Sequence, residues 1–307
     1  MRVLVVGAGA VGGYFGTLLA RGGHEVVFVA RGANLAALRA QGLCVELDGE
    51  TLRLAAPSAV EDPAAAAPPD LVLVCVKSYD TASVAAALRP VVRPDTIVLS
   101  LQNGVENEDV LASVLQLPPL MPALTQIGVA LTAPGVVRFS GRGNILFGEP
   151  DGHDSPRVRA VGAALGQAGI PFEVRADIRV AVWEKLAWNA GFNAVTTITR
   201  TTVAEALAVP ATRELIVTAM EEVDAVATAL GVPVRRRRAA RVVADSVTAL
   251  PDFQTSMLQD LLRGRRLEYD AITGAVVRAA GKIGVAVPVN RTLLALLARL
   301  DPSDRAP

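Results

Sequence analysis

The chain has 307 residues, of which 51% are hydrophobic and only 4% aromatic, and its formal net charge is zero. A balanced charge argues against nucleic acid or an anionic membrane as the main partner, and no apolar run is long enough to span a membrane. Two cysteines do not make a disulfide framework, and the strand-like residues 2–6 leave no room for a signal peptide. These features predict a cytoplasmic protein with two domains.

The first half of the sequence alternates between strand and helix patterns. The segment RVLVV (2–6) precedes a glycine-rich turn and a helix, and EVVFVA (25–30) is the second predicted strand. LVLVCV (71–76) and TIVLS (96–100) are mostly apolar, as expected of strands that are buried on both faces. Strands that alternate with helices predict an α/β fold with a parallel, doubly wound sheet of the Rossmann type, which we assign to residues 1–176.

Shorter strands are predicted between and after these segments. The segments at 43–47 and 51–55 flank Asp48-Gly49, a dipeptide that favours a tight hairpin. The segments GVVRF (135–139) and NILFG (144–148) are predicted to be irregular strands added at the edge of the sheet.

The second half of the sequence shows apolar residues at helical spacing, separated by turn signals. This pattern predicts an all-helical second domain at residues 177–307. The predicted helices cover 178–198, 203–230, 235–250, 254–261, 269–283 and 292–300. The four arginines at 235–238 are interpreted as a solvated helix face, because no aromatic residues are interleaved with them.

A glycine motif follows the first strand and opens the first helix. In such a motif the first glycine permits a tight turn, the second lets the backbone approach a pyrophosphate, and the third lets the helix pack on the strand. The helix N-terminus then receives the phosphate charge. The motif predicts a dinucleotide site, with a tight turn that binds no ligand as the alternative. Its residues are Gly7, Ala8, Gly9, Ala10, Val11 and Gly12.

Arg31 decides the predicted cofactor. NAD-binding sites usually end the second strand with an acidic residue that binds the ribose 2′-hydroxyl, whereas here the strand ends in Arg31 and no acid follows before Glu46. A guanidinium suits a 2′-phosphate through forked, charge-assisted hydrogen bonds. We therefore predict NADP(H); the alternative is that Arg31 is a loop cation.

A lysine is the leading candidate for the proton donor that a carbonyl reduction needs. His24 and His153 lie in loops that are poorly placed for this task, and no cluster of residues has metal-ligand spacing. Lys185, Asn189 and Asn193 are spaced by four residues, which places them on one helix face with a drift of about 40° per step. This row would supply one proton donor and two orienting amides. The alternative is a solvent-facing stripe beside the neighbouring acid at 184.

Four later segments are more specific than the glycine motif. They are VKSYDT around Lys77, SLQNGVEN around Asn103, WEKLAWNAGFNAVTTI around Lys185, and TSMLQDLLRGRRLEYD around Ser256 and Glu268. In this order they resemble segments of the ketopantoate reductases, also called 2-dehydropantoate 2-reductases. The resemblance to this family runs from Gly7 to about Leu300.

The resemblance implies roles for residues around the cofactor. Lys77 would lie near the cofactor, and Asn103 would lie where the nicotinamide and the substrate meet. Glu268 would lie near the nicotinamide ribose and the substrate hydroxyl, although its position alone would suggest an ordinary surface acid. Ala130 would contribute a backbone contact to the cofactor.

The resemblance also implies how the substrate is held. Lys185 would be the catalytic proton donor, Asn189 and Asn193 would bind the substrate, and Ser256 would help to hold its carboxylate. The implied reaction is the NADPH-dependent reduction of 2-dehydropantoate to pantoate in pantothenate biosynthesis.

Three positions depart from the family pattern. Phe253, Val203 and Thr273 stand where members often carry polar side chains, and Phe253 adds apolar bulk. These departures favour an alternative substrate, a more apolar 2-keto acid. A second alternative is an NADP(H)-binding sensor without turnover. The apolar helices of the second domain are compatible with a homodimer.

Overall fold

A computed structural model of the chain describes residues 1–235, 238–250 and 252–304. The contacts divide it into two compact units. The Rossmann unit contains Met1–Gln102 and Asn107–Ile178, and the helical unit contains Asn103–Glu106 and Arg179–Pro307.

The short segment at 103–106 differs from the predicted domain division, which kept it in the first domain. Its contacts lie within the helical unit: Val105 packs against the apolar core of that unit, and Glu106 forms an ion pair with Arg278 at 2.6 Å.

The strands of the Rossmann unit form two sheets. They are β1 (Arg2–Val6), β2 (Glu25–Val29), β3 (Leu43–Glu46), β4 (Thr51–Leu54), β5 (Ser58–Val60), β6 (Leu71–Val74), β7 (Ile97–Ser100), β8 (Ala123–Ala133), β9 (Val136–Phe147) and β10 (Phe172–Val174).

The first sheet is parallel throughout, in the order β5-β2-β1-β6-β7, which confirms the predicted Rossmann sheet. Successive residues of β1 enter opposite cores because side chains alternate along a strand. Val3 and Val5 pack in one core, and Leu4 and Val6 in the other. The sheet is therefore buried on both faces, which explains its nearly continuous apolar strands.

The second sheet corrects the prediction for residues 135–148. These residues do not form two edge strands of the first sheet but the single strand β9, which pairs with β3, β8 and β10. Gly141 and Gly143 have φ angles of +128° and +141°, and the β8–β9 register shifts near them. These irregularities break the alternation of side chains, so the sequence pattern reads as two short strands. The predicted hairpin is confirmed as β3 and β4, which pair antiparallel.

Helices cover both faces of the first sheet. They are α1 (Ala10–Arg21), α2 (Gly32–Gln41), α3 (Thr81–Leu88), α4 (Asn107–Leu115) and α5 (Pro156–Gln167). Residues of α1, α2, α5 and the second sheet share one core, and residues of α3 and α4 share the core on the opposite face.

The described residues of the helical unit confirm an all-helical second domain. Its helices are α6 (Ile178–Trp188), α7 (Ala194–Thr199), α8 (Val203–Ala208), α9 (Pro210–Ala229), α10 (Arg238–Ala249), α11 (Ser256–Leu262), α12 (Ala275–Ile283) and α13 (Pro288–Leu300). Within the described ranges, no helix has both the length and the apolar character that crossing a membrane requires.

Two of the predicted helices differ from the structure at a proline. The helix predicted at 203–230 is two helices, because Pro210 occupies the first turn of α9 and cannot continue α8. Pro288 likewise starts α13 four residues before the predicted position. The helix predicted at 235–250 is described from Arg238; residues 236 and 237 of the arginine run, and Pro251 in the following turn, lie outside the described residues.

The described residues of the helical unit include two π-turns, at Asn189–Asn193 and Asp270–Gly274. The first joins α6 to α7 without a break, and the second leads directly into α12. The two π-turns contact each other. Such turns are rare in helices and are frequent at functional sites.

Gly16 of α1 should not tolerate alanine. A Cβ there would overlap the ring of Phe28, which is fully buried on β2. We expect Gly16→Ala to lower the free energy of unfolding by about 1–3 kcal/mol through overpacking, despite the better helix propensity of alanine. Gly281→Ala on α12 is the matched control: no atom lies within 4 Å of its Cβ, so we expect a gain of up to about 1 kcal/mol. Thermal unfolding followed by circular dichroism compares the two, and an unchanged Gly16→Ala protein would contradict the packing argument.

Candidate active site

The glycine motif forms a tight loop between β1 and α1. The N–H groups of Gly7 and Ala8 both donate to the Val29 carbonyl oxygen at 3.1 Å, which fixes the loop against the end of β2. Gly7 has a φ angle of +96°, and a Cβ there would lie 2.9 Å from the backbone nitrogen of Val76. Glycine is therefore required at position 7 by both conformation and space.

The same loop fits a phosphate group. A Cβ on Gly9 would meet no atom within 4 Å, whereas a Cβ on Gly12 would overlap the Gly7 carbonyl oxygen. Gly9 caps α1, whose first-turn N–H groups lack partners within the helix, and that turn, which includes Ala10 and Val11, carries no acidic residue. An anion can thus approach the N-terminus of α1 without meeting a side chain or a like charge.

Arg31 lies directly before α2 and is exposed to solvent. The first turn of α2 contains no acidic residue. This placement suits a group that binds a phosphate, and no carboxylate of that turn competes for the guanidinium.

Two further predicted cofactor residues lie in this unit. Lys77 is half-buried and caps a short 3₁₀ turn at Ser78–Asp80, beyond the carboxyl end of β6. Ala130 is half-buried on β8, opposite Arg138. Burial raises the pKa of the neighbouring Cys75 thiol to about 12, so this cysteine is not a reactive thiolate at neutral pH.

A buried polar network behind Lys77 was missed by sequence reasoning. The Gln102 side-chain amide donates to the Val76 carbonyl oxygen at 3.1 Å and to the Thr81 hydroxyl at 2.8 Å. The Thr81 hydroxyl lies 2.9 Å from Asn107 Oδ1, and Ser100 donates to Gln102 Oε1. The network fixes the backbone that enters the Lys77 turn. Its sequence signal was the pair of polar residues Ser100 and Gln102 at the end of an apolar strand.

The predicted lysine and asparagine row spans α6 and the first π-turn. Lys185 is half-buried, whereas Asn189 and Asn193 are only 6% and 2% exposed. The step from Lys185 to Asn189 follows α-helical geometry, but the step to Asn193 crosses the π-turn. Four residues make slightly more than one α-turn but slightly less than one π-turn. The rotation around the helix axis from Asn189 to Asn193 is therefore opposite to the rotation from Lys185 to Asn189. The row is therefore straighter than an uninterrupted α-helix would make it.

The two amides of this row differ in their hydrogen-bond partners. Asn189 Nδ2 donates to Asn103 Oδ1 at 3.5 Å, so the structure brings together two of the predicted site residues. Asn193 Nδ2 is buried and has no hydrogen-bond partner among the described residues. Buried polar groups are normally paired, so this donor fits a site that is completed by a ligand oxygen.

The solvent-facing alternative for this row is wrong, because both amides are buried. The neighbouring Glu184 is directed toward Arg238, whose Nε lies 3.6 Å from its carboxylate. Arg238 also pairs with Asp224 at 2.7 Å. Burial raises the pKa of Asp224, and Arg238 opposes that rise.

Glu268 is also buried, which corrects the suggestion of a surface helix acid. It directly precedes the helical segment that begins at Tyr269, and its carbonyl accepts the Ile272 N–H at 3.2 Å. This segment contains the second π-turn, which packs on the first. Glu268 therefore lies next to one π-turn and the asparagines lie in the other, and these two π-turns contact each other.

Ser256 is exposed at the start of α11. The preceding Thr255 caps that helix, and its hydroxyl lies 2.8 Å from the Thr196 hydroxyl on α7. The Ser256 segment is therefore attached to the helix that continues the asparagine row.

The three departures from the family pattern lie in different environments. Phe253 is half-buried and packs edge-on against Trp188, with ring centroids 6.2 Å apart. Trp188 in turn stacks on Phe192 at 4.6 Å. Val203 lies fully in the apolar core, so its side chain does not change the polarity of a ligand surface. Thr273 is fully buried, and its hydroxyl has no partner among the described residues.

Comparisons with known proteins identify the family of the chain. A family model described as "Ketopantoate reductase PanE/ApbA" matches residues 3–152, and its C-terminal counterpart matches residues 177–301. The 2-dehydropantoate 2-reductase of Halobacterium salinarum is 39% identical over 301 residues, which cover 97% of this chain and 98% of that protein. The 2-dehydropantoate 2-reductase of Archaeoglobus fulgidus is 37% identical and covers 96% of both.

Solved structures give the same result. The crystal structure of a PanE/ApbA family ketopantoate reductase from Ralstonia eutropha has a TM-score of 0.91, is 36% identical and covers all of both chains. The 2-dehydropantoate 2-reductase from Geobacter metallireducens has a TM-score of 0.92 at 31% identity, over 97% of this chain and 99% of that one.

Substitutions of Gly9 and Gly12 in the glycine motif should separate an effect on binding from an effect on folding. Gly9→Ala places a methyl group where no atom lies within 4 Å, so we expect an unchanged melting temperature but dinucleotide binding weakened by about 10-fold or more. Gly12→Ala overlaps the Gly7 carbonyl, so we expect it to lower both stability and binding. Titration of NADPH fluorescence and a melting curve measure the two effects. Equal binding by wild type and Gly9→Ala would show that no ligand group approaches this loop.

Proposed function

Because the chain belongs to the ketopantoate reductase family, we propose that it reduces 2-dehydropantoate to pantoate with NADPH, as a step of pantothenate biosynthesis. The family and its relatives make the chain an oxidoreductase that acts on a 2-keto acid with a nicotinamide cofactor. One observation carries the proposal: a half-buried lysine begins a row with two buried amides, and one of these amides has a donor without a partner among the described residues.

The choice of NADPH is supported by the start of α2. The exposed Arg31 would form the forked contact to the 2′-phosphate, and no acid in the first turn of that helix would bind a 2′-hydroxyl instead. The glycine loop would hold the pyrophosphate at the N-terminus of α1. Lys77 and Ala130 would make further contacts to the cofactor, and these two roles rest on the family resemblance.

The proposed chemistry is a balanced two-electron reduction. NADPH, when bound, supplies the hydride that adds to the C2 carbonyl carbon. The Lys185 ammonium group donates one proton to the carbonyl oxygen, so that the ketone becomes a hydroxyl group, and the lysine then recovers a proton from water. Its positive charge also stabilises the negative charge that develops on this oxygen.

The other residues would orient the substrate. Asn193 would donate its Nδ2–H, which has no partner within the described part of the chain, to a substrate oxygen. The Asn189–Asn103 pair would fix the reacting end of the substrate. Ser256 would bind the substrate carboxylate. Glu268 would accept hydrogen bonds from the nicotinamide ribose and the substrate hydroxyl; this role and that of Ser256 follow the family resemblance.

Lys185→Ala tests the proton donor. We expect kcat with 2-dehydropantoate to fall by about 100-fold or more, because general acid catalysis is lost, while the Kd for NADPH stays within about twofold. Lys282→Ala is the matched control, since that lysine is exposed on α12, and it should behave as wild type. Steady-state NADPH oxidation and fluorescence titration measure both quantities.

Two results would contradict the proposal. Full activity of Lys185→Ala would exclude this lysine as the donor. A wild-type protein that binds NADPH but reduces no 2-keto acid would instead favour the sensor.

A more apolar 2-keto acid is the second candidate substrate. Phe253 and Trp188 form a half-buried aromatic pair on the segments that carry Ser256 and Asn189. Such a pair favours an apolar substituent over the hydroxyl-bearing chain of 2-dehydropantoate.

Phe253→Asn should reveal which substrate the pair selects. If the aromatic pair contacts the substrate, the asparagine should raise the ratio of kcat/KM for 2-dehydropantoate over 4-methyl-2-oxopentanoate by about 10-fold or more. Phe253→Leu keeps the apolar bulk and should leave the ratio within about threefold. Steady-state kinetics on both substrates give the ratios. An identical ratio in all three proteins would place Phe253 away from the bound substrate.

A further inference from the structure

The side chain of Asn34 joins three backbone segments of the Rossmann unit. Asn34 lies in the first turn of α2 and is half-buried. Its Nδ2 donates to the Ala8 carbonyl oxygen in the glycine loop at 2.6 Å, and its Oδ1 accepts the Gly135 N–H at 2.8 Å. Gly135 lies in the turn between β8 and β9.

The contact with Gly135 fixes which end of the amide faces the glycine loop. A backbone N–H can only donate, so the Asn34 atom that faces Gly135 must be the oxygen. Nδ2 is then left to face the Ala8 carbonyl, which can only accept. Position 34 therefore requires a short side chain with both an acceptor and a donor.

The bond to Ala8 sets the orientation of one peptide group. In a planar trans peptide the C=O and the N–H point in opposite directions. Because the Ala8 carbonyl points toward Asn34, the N–H of Gly9 points away from Asn34. The N–H groups of Gly7 and Ala8 are already bonded to Val29, so Gly9 carries the next N–H along the loop. The loop is open at Gly9, since a Cβ there would meet no atom within 4 Å.

We propose that Asn34 is a positioning residue that turns the Ala8–Gly9 peptide so that its N–H, and not its carbonyl oxygen, faces the cofactor pyrophosphate. This role rests on the dinucleotide site of the proposed function. Without the side-chain donor, the peptide can rotate and present a partial negative charge to the anion. The loop then loses one attractive contact and gains a repulsive one.

The position of Arg31 next to Asn34 allows an effect on the Ala8–Gly9 peptide to be distinguished from a displacement of α2. Arg31 precedes the helix by one residue and Asn34 lies in its first turn, and the Arg31 carbonyl accepts the Leu35 N–H at 3.3 Å. A substitution that merely displaced this turn would disturb the contact of Arg31 with the 2′-phosphate. A substitution that acts through the Ala8–Gly9 peptide would weaken only ligands that contain the pyrophosphate.

Two cofactor fragments test this difference. ADP-ribose contains the pyrophosphate but no 2′-phosphate, and 2′-AMP contains the 2′-phosphate but no pyrophosphate. For Asn34→Ala we expect the Kd of ADP-ribose and of NADPH to rise by about 3- to 10-fold, and the Kd of 2′-AMP to change by less than about twofold. Arg31→Ala should raise the Kd of 2′-AMP and leave the Kd of ADP-ribose nearly unchanged. Competition with NADPH fluorescence gives all the constants.

Three further measurements sharpen the test. Arg39→Ala, which removes exposed contacts of the same helix with the Ala59 carbonyl, should leave all the constants unchanged. Asn34→Asp keeps the acceptor for Gly135 but loses the donor for Ala8, so it should bind ADP-ribose no better than Asn34→Ala. In turnover, Asn34→Ala should raise the KM for NADPH and leave kcat unchanged.

Several results would overturn the role of Asn34. An unchanged Kd for ADP-ribose in Asn34→Ala, an equal loss for 2′-AMP, or wild-type affinity of Asn34→Asp would each do so. If the wild-type protein itself failed to bind NADPH and both fragments, the proposed function would fail before the question of Asn34 arose.

Discussion

The carbonyl oxygen of Val29 accepts the N–H groups of both Gly7 and Ala8, and the end of the Rossmann unit that we propose as the nucleotide site depends on this double contact. It ties the loop after β1 to the last residue of β2, so the start of α1 and the start of α2 have fixed positions within one unit. Gly7 is required because the loop then passes close to Val76 and leaves no room for a side chain at that position. A rigid backbone frame of this kind lets peptide groups act as ligands without reorganising when an anion arrives.

In the helical unit, three polar side chains lie in a row along one continuous helical segment, and two of them are buried. A regular α-helix would rotate Asn193 away from Lys185, but the π-turn between α6 and α7 reverses that rotation. The second π-turn packs on the first and brings in the segment of Glu268. Buried amides without a full set of partners are unfavourable in a folded chain, so the surrounding aliphatic and aromatic core must stabilise this arrangement.

Local patterns in the sequence were sufficient for the parallel sheet, the glycine loop and the existence of a helical second domain. The apolar strands at 71–76 and 96–100 and the turn signals carried that information. The π-turns left no trace, because the spacing of Asn189 and Asn193 is the same in the sequence whether the turn between them is α or π. Strand β9 was divided in the prediction because its glycines interrupt the alternation. Asn34 was missed since its partners lie 26 and 101 residues away in the chain.

A π-turn is, in effect, one extra residue accommodated in a continuous helix, and this has a consequence for the length of the segment. Every residue after the turn is rotated by about 100° relative to its place in an uninterrupted α-helix. Thr196 meets the Thr255 hydroxyl only with this rotation included. A deletion of one residue between 189 and 193 would remove this extra residue and leave a regular α-helix in which Thr196 still faces Thr255, so the α11 segment would stay attached. The turn can therefore lose its extra residue without moving the side chains that follow it, whereas the loss of one residue from a regular turn of α6 would rotate all of them by about 100°.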